Sequence, residues 1–253
     1  MSPSLPPEIL DLVVHHLRNE PTTLKACCLV SKSWIPRARL HLFAQVSFGS
    51  VGHDIELWMA TFPDPSSSPA HYTRRLNIFD LDITILASMG ALAWIHHFRH
   101  IVELHLKPVL PVGSSIPVSI AQLRGLSPAL RRLHLYRSTT PFLELLDFIC
   151  SFPLLEDLTL RFVVATDGVD SGNVDLASPK FTGTLSTMST DDPAVRGLLA
   201  LPGGLRFTKI VIACTAGHAG LVNDLVSKCS DTLESLAVAY YSQGTFLLTL
   251  VVN

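Results

Sequence analysis

Four histidines lie close together in the sequence and could in principle bind a metal ion: His96, His97, His100 and His105. His96 and His100 are four residues apart, so a single helical face could present both of them, as zinc ligands are often presented. However, no carboxylate or cysteine joins them at metal-ligand spacing, and the His-Glu-x-x-His pattern is absent. We therefore expect these histidines to lie on the surface at a helix end, and we expect no metal site and no cofactor.

A second candidate for ion binding is the segment from Asp167 to Asp175, whose acidic residues are spaced much as in a calcium loop. Val169 occupies its third position and Ser178 its twelfth, where a calcium loop has an oxygen ligand and a bidentate glutamate. The match therefore fails at two ligand positions. We expect a flexible acidic loop instead, inserted at about residues 165–193.

The sequence contains no motif for nucleophilic catalysis, phosphate binding or dinucleotide binding. Pro202-Gly-Gly204, the one glycine pair that could suggest a phosphate loop, is a turn signal. The five cysteines are scattered, with no Cys-x-x-Cys pair. Cys27 and Cys28 fall on a helix predicted to be buried, where a thiol is usually an inert small hydrophobe. We expect a protein without catalytic residues, which is not an enzyme, in a reducing compartment.

The composition favours a folded protein that binds neither nucleic acid nor membrane. Hydrophobic residues make up 48% of the chain and charged residues 16%, whereas disorder requires the opposite balance. The formal net charge of -2 supplies no positive field for phosphate backbones or anionic lipids. The most apolar run, Phe246 to Val252, is far shorter than the roughly 20 residues that span a bilayer, and it predicts a buried strand. No secretory leader precedes the fold, so we expect a cytoplasmic and/or nuclear protein.

The elements that would position any site fall into two regions, of which the first, residues 4–43, has a helical pattern with two interruptions. The first helix opens at Pro6 and Pro7, because proline is tolerated in a first turn. The second is predicted over Leu24–Val30, with Thr22 or Thr23 as its N-cap. The third contains Trp34, Pro36, Leu40 and Phe43, with Ser31 or Ser33 as its N-cap.

From about residue 70 onward the sequence repeats the pattern Leu-x-x-Leu-x-Leu. Its central anchors recur every 25 to 29 residues, at Leu76, Leu104, Leu133, Leu158, Leu185, Ile210 and Leu236. This period is typical of leucine-rich repeats. The copy at Thr184–Thr187 is the weakest, and it is compatible with either a true strand or a solvated insertion. Helices are predicted between the strands, over residues 85–98, 116–126, 142–152, 194–201 and 219–229.

A strand-helix alternation of this kind predicts an α/β fold in which a mostly parallel sheet lines the concave face of a solenoid. Alternate strand positions would place the leucines inward and the residues between them in rows across the concave face. We expect most of these outward residues to be solvated. The candidates for contact with a protein substrate are His105, Lys107, Arg132, His134, Tyr136 and Arg161.

The first forty residues resemble the F-box family. The matching segments are Leu5–Leu10, Val13–Leu17, Leu24 and Leu29–Trp34, which agree with the family in order and spacing across three helices. The resemblance implies a module that performs no chemistry itself but binds a Skp-type adaptor, and through it a cullin-based ubiquitin ligase. It implies adaptor contact, or direct support of it, for Leu5, Pro6, Ile9, Leu10, Val13, Leu17, Leu24, Leu29, Val30 and Trp34.

The remainder is similar to the divergent leucine-rich repeats that follow many fungal F-boxes, although it lacks their regular Asn at Val109, Ser138, Val163 and Tyr241. The resemblance implies an F-box at 1–45, a linker or first helical segment at 46–72, and a repeat domain at 73–253, which could be truncated at its C-terminus. The implied function is the substrate-recognition subunit of a Skp-cullin-F-box ligase for ubiquitin-dependent degradation. The alternative is a protein-interaction scaffold outside any ligase, in which the F-box-like start caps the repeats.

Overall fold

A computed structural model describes residues 6–49, 53–79, 86, 90–107, 120–165, 177, 179–188, 193–201, 203–214, 219–242 and 245–252. The acidic segment from Asp167 to Asp175, with Ser178, lies outside the described residues, as do Leu5 and Val109. None of the helices within these ranges is long and apolar enough to cross a membrane. All five cysteines are free thiols.

Three short helices form the N-terminal part of the molecule: α1 (Pro7–His16), α2 (Pro21–Val30) and α3 (Ile35–Leu42). Their existence and order confirm the sequence prediction, but the predicted caps are wrong. Thr22 and Thr23 lie inside α2, and neither α2 nor α3 has a side-chain cap at its N-terminus. Both helices instead carry a proline in the first turn, whose fixed φ suits the helix and which has no N–H that needs a cap.

This helical unit, defined as α1 to α3, has a small core of its own. Val14, Leu24, Cys27 and Ala38 are its buried members, and they form a cluster separate from the main core of the protein. The half-buried side chains that pack around this cluster are Leu17, Cys28, Trp34 and Leu42. With so few buried side chains, the unit can gain only a small stabilisation from apolar burial.

The rest of the described chain is built on a nine-stranded sheet in which the strands stand almost in sequence order. Eight strands run parallel, and the last one pairs antiparallel with its neighbour. This confirms the predicted α/β class with a mostly parallel sheet. The strands in order are β1 (Gln45–Phe48), β2 (Arg75–Phe79), β3 (Glu103–Lys107), β4 (Arg132–Tyr136), β6 (Asp157–Arg161), β8 (Thr184–Thr187), β9 (Lys209–Cys214), β10 (Ser235–Ser242) and β11 (Thr245–Val252). Outside this sheet, β5 (Thr139–Thr140) pairs with β7 (Val164–Ala165).

The register of the parallel strands aligns the predicted anchor residues in one continuous row. Each anchor is paired with the next, from Leu76 through Leu104, Leu133, Leu158, Leu185 and Ile210 to Leu236. All of them except the half-buried Leu236 are fully buried. The structure therefore favours a true strand at Thr184–Thr187, the copy that the sequence left ambiguous.

The sheet begins one strand earlier than the repeat pattern predicts. Strand β1 pairs in parallel with β2 and extends the anchor row to Val46. Helix α4 (His53–Thr61) follows and places Trp58 against Phe48 and Phe98, with ring centroids 5.7 and 5.6 Å apart. This aromatic cluster covers the core at the first edge of the sheet.

Short helices return the chain between most of the later strands. Four of the five predicted helical segments contain an α-helix: α5 (Ala91–Ile95), α6 (Phe142–Cys150), α7 (Pro193–Leu199) and α8 (Ala219–Lys228). The segment predicted at 116–126 forms a 3-10 helix, Ile120–Leu123. Gly125 follows this helix closely and adopts φ 66°, a left-handed conformation that ends the helical path.

Helices α6 and α7 approach each other closely because Gly197 has no side chain. A Cβ built on Gly197 would overlap the ring of Phe142 and lie 2.9 Å from Leu146 Cδ1. Gly220, in α8, has nothing within 4 Å of such a Cβ and makes a matched control. The two glycines therefore test the packing of the helical layer.

We predict that Gly197→Ala lowers the free energy of unfolding by about 1–3 kcal/mol, because both buried neighbours must move. Gly220→Ala should be neutral or stabilising by up to about 1 kcal/mol, as expected for a glycine replaced in a helix. Urea denaturation followed by circular dichroism measures both changes. Equal effects of the two substitutions would contradict the close packing of α6 on α7.

Candidate functional site

The open face of the sheet carries polar side chains in rows, because the register that stacks the anchors also stacks the residues between them. One row consists of Arg75, Glu103, Arg132 and Asp157, on neighbouring strands. The adjacent row contains Asn77, His105, His134 and Thr159. Beyond it, Phe79 pairs with Lys107 and Tyr136 pairs with Arg161. The predicted substrate-contact residues are therefore brought together on β3, β4 and β6.

Glu103 is the centre of this polar cluster. Its side chain is only 7% exposed, and its Oε2 atom accepts hydrogen bonds from Arg75 Nη2 at 2.9 Å and from Arg132 Nε at 3.0 Å. Arg132 Nη2 also lies 2.8 Å from Oε2, so this guanidinium contacts one carboxylate oxygen through two nitrogens. The other oxygen, Oε1, pairs with His105 Nε2 at 2.7 Å.

These contacts set the ionisation of Glu103. Burial raises the pKa of its carboxyl, but the hydrogen bonds from His105, Arg75 and Arg132 lower it by more, so the pKa is about 2 instead of the ordinary 4.5. Glu103 is therefore ionised at neutral pH although it is buried. A buried carboxylate of this kind needs its partners, since removing them would leave an uncompensated charge.

The imidazole rings of His105 and His134 stack beside Glu103. Their centroids are 4.1 Å apart and the angle between the rings is 24°. Burial, and then the neighbouring His105, lower the pKa of His134 to about 4, so His134 is neutral at pH 7. His134 Nε2 is buried, has no hydrogen-bond partner among the described residues and lies 3.8 Å from Glu103 Oε1. A buried ring nitrogen without a hydrogen-bond partner costs free energy.

Tyr136 and Arg161 extend the cluster along the open face. The centroid of the Tyr136 ring is 6.2 Å from that of His105 and 6.4 Å from that of His134, and both imidazole rings lie within 18° of parallel to it. The Arg161 guanidinium carbon is 6.0 Å from the Tyr136 centroid, at the outer limit of a cation–π contact. Together these residues form a flat aromatic and cationic surface suited to contact with a protein.

The expectation that the outward residues are mostly solvated is wrong for three of them. Asn77, Glu103 and Thr159 are buried, because each is crowded by neighbours in its row; Asn77, for example, donates to Ser47 Oγ at 2.8 Å. The sequence analysis also missed Arg75 as a partner of Glu103. Both Arg75 and Glu103 directly precede an anchor leucine, as Arg132 does, and this equivalence is a signal that could have found the cluster.

The ten predicted adaptor-contact residues divide between the core and the surface of the helical unit. Leu10 and Leu24 are buried, and Leu17 and Trp34 are half-buried. The exposed members include Leu29 at 88%, Val30 at 66%, Ile9 at 43% and Val13 at 36%. Pro6 is also exposed, and Leu5 lies outside the described residues. The prediction missed two further exposed leucines of the same unit, Leu12 and Leu40.

Leu12 and Leu40 line a groove of about 630 Å³ between α1 and α3. The groove is bordered by charge, since Arg37 Nε donates to Asp11 Oδ1 at 2.5 Å across the two helices. His15 and His41 contact each other edge to face at its other side, with centroids 5.7 Å apart. An apolar floor between polar borders is typical of a protein-binding surface.

Comparison of the chain with protein-family models, with curated proteins and with solved structures finds no match in any of the three. The two surfaces just described must therefore be judged on their own residues. One is an apolar surface on the helical unit, and the other is the Glu103 cluster on the sheet. Neither brings together a nucleophile, a general base and an oxyanion site in the part of the chain that the structure describes.

We predict that Glu103→Gln lowers the free energy of unfolding at pH 7 by about 2 kcal/mol, because the ion pairs lose their charge. The folded-state pKa of Glu103 is depressed, so its contribution is complete above the unfolded-state pKa and is lost as the pH falls towards 2. The difference between wild type and variant should therefore shrink between pH 5 and pH 2.5, measured by urea denaturation.

The control is Glu156→Gln, which removes the more exposed pair of Glu156 with Arg131. This substitution should change the free energy of unfolding by less than about 1 kcal/mol at either pH. A wild-type advantage over Glu103→Gln that stays constant from pH 7 to pH 2.5 would show that the ionised Glu103 does not carry the effect.

Proposed function

We propose that the protein is the substrate-recognition subunit of a Skp-cullin-F-box ubiquitin ligase, with the helical unit binding a Skp-type adaptor and the sheet face binding a protein substrate. The observation that carries this proposal is the exposed apolar surface of the helical unit. Leu29 and Val30, at the end of α2, belong to the F-box-like segment and are among the most exposed large apolar side chains in the described chain. Single exposed leucines are common, but a group of them on so small a unit indicates an interface.

The helical unit has a structure suited to independent docking. Its core cluster is separate from that of the sheet, so the exposed surface can be buried by a partner without rearrangement of the repeats. Docking requires some apolar residues that hold the helices together and others that remain exposed for the adaptor, and the residues implied by the F-box resemblance include both kinds. Leu10 and Leu24 support the fold from inside, while Ile9, Val13 and Leu29 remain available outside.

The sheet face supports the second half of the proposal. The stacked rings of His105, His134 and Tyr136, with Arg161 beside them, provide a rigid surface on consecutive strands. Aromatic and arginine side chains are the commonest anchors of protein interfaces. The ligase subunit would itself carry no catalytic residue, since ubiquitin transfer takes place on other subunits of such complexes.

One observation favours the alternative of a scaffold outside any ligase, in which the helical unit caps the sheet. Phe43, directly after α3, packs against Trp58 and Phe62 of the sheet edge, with centroids 5.9 and 6.1 Å apart. In addition, Arg74 and Arg75 donate their backbone N–H groups to Ala44 O. The end of the helical unit is therefore joined firmly to the first strands, as a capping element would be.

We predict that Leu29→Asp weakens binding to a purified Skp-type adaptor at least about 30-fold, because a charge would be buried in the interface. Isothermal titration with the full chain measures the affinity. Leu57→Asp is the matched control, since Leu57 is 59% exposed but lies on α4, outside the helical unit. Absence of adaptor binding by the wild-type chain, or equal losses in the two variants, would exclude the ligase proposal.

The two candidate functions differ in how the sheet responds when the helical unit unfolds. Leu24→Asp places a charge in the small core, where Leu24 is 1% exposed, and should unfold α1 to α3. If the unit is an independent docking module, hydrogen exchange should rise in these helices and stay slow in β2, β3 and β4. Loss of protection in these strands would support the capping scaffold. Lys25→Asp, on the exposed side of the same helix, is the control.

A further inference from the structure

Three side chains with metal-binding atoms converge on the open face of the sheet. Glu103 Oε1, one nitrogen of His105 and one nitrogen of His134 all lie within 4.8 Å of one another. We propose that Glu103, His105 and His134 bind a divalent first-row transition-metal ion such as Zn²⁺. This site does not rest on the proposed ligase function, although His105 and His134 also belong to the proposed substrate surface. It differs from the set of histidines singled out by the sequence, since His96, His97 and His100 do not join it.

Of the two oxygen–nitrogen distances in the cluster, one is shorter and one is longer than the distance between two ligand atoms of a bound metal ion. With metal–ligand bonds of roughly 2.0–2.2 Å, two ligands of a tetrahedral ion lie about 3.4 Å apart. Glu103 Oε1 is 2.7 Å from His105 Nε2 and 3.8 Å from His134 Nε2. Shifts of less than about 1 Å, with a turn of the two stacked rings towards each other, would therefore bring both nitrogens to bonding distance of one ion.

The Nε2 atom of His134 is available to bind a metal ion. It is buried and has no partner in the described part of the chain, so no hydrogen bond to these residues has to be broken before this nitrogen can bind an ion. Neutral imidazole is the form of histidine that binds metals. Metal binding would satisfy a ring nitrogen that the described residues leave unpaired.

His105 requires one rearrangement. Its Nε2 pairs with Glu103 Oε1, and the ion would take the place of that hydrogen bond. Metal bonding through Nε2 requires the tautomer in which the single N–H stands on Nδ1.

Arg75 and Arg132 affect which metal ions the site can bind. Arg75 and Arg132 hold Glu103 Oε2 and leave Oε1 facing the histidines. They fix the orientation of the carboxylate, as outer ligands of metal sites do, but they also neutralise much of its charge. Mg²⁺ and Ca²⁺ depend on charged oxygen ligands and should bind poorly, whereas Zn²⁺, Ni²⁺ and Cu²⁺ bind imidazole well.

The test is a titration of the full metal-free chain with Zn²⁺ at pH 7.5, followed by calorimetry. We expect one Zn²⁺ per chain, no detectable binding of Mg²⁺ at the same concentrations, and an affinity at least about 30-fold lower in His134→Ala. His100→Ala should keep the wild-type affinity, because His100 is exposed and outside the cluster. Thermal unfolding of each variant without metal checks that it is folded.

Cobalt provides a second, spectroscopic measurement that does not depend on the affinity alone. Co²⁺ bound by two imidazoles and a carboxylate should give visible absorption bands, which should disappear on addition of Zn²⁺ and be absent from His105→Gln. Failure of the wild-type chain to bind Zn²⁺ at millimolar concentration overturns the proposal. Zn²⁺ binding that persists unchanged in His134→Ala, or is lost equally in His100→Ala, also overturns it.

Discussion

The parallel register of the sheet is the constraint on which the rest of the structure depends. Each anchor residue lies opposite the next, so the apolar side chains of successive strands fill one continuous core row. A shift of one residue in any strand would turn its leucines to the open face and its charges into the core. The same register therefore fixes the polar rows, and it places Glu103 directly between Arg75 and Arg132 on the neighbouring strands.

The two candidate surfaces obtain their rigidity in different ways. The Glu103 cluster rests on β2, β3 and β4, interior strands that have a neighbour on each side and that pack against the main core. The apolar surface of α1 to α3 rests on a core of only a few buried side chains, such as Val14, Leu24 and Ala38. Burial of that surface by a partner would add to the small stability of the helical unit, whereas the sheet is stabilised without any partner.

The sequence predicted the fold more fully than it predicted the site. The spacing of Leu104, Leu133 and Leu158 is periodic, and such a period can be recognised in the sequence without knowledge of the tertiary structure. Strand β1 was not predicted, because Val46 and Phe48 stand where the repeat pattern has leucines. Pairings such as Arg75 with Glu103 join residues 28 positions apart, and they become visible only when the register is known. The division of the helical unit into buried and exposed apolar residues likewise depends on how its helices cross.

The row that contains Glu103 has a consequence for how the chain could change over evolution. Its members alternate in charge along the sheet, from Arg75 to Glu103, Arg132 and Asp157, at the strand spacing of about 4.8 Å. Duplicating or deleting the single strand-helix unit that carries Glu103 or Arg132 would bring two like charges side by side. The units are alike in backbone but not interchangeable, so this part of the sheet can gain or lose them only in pairs.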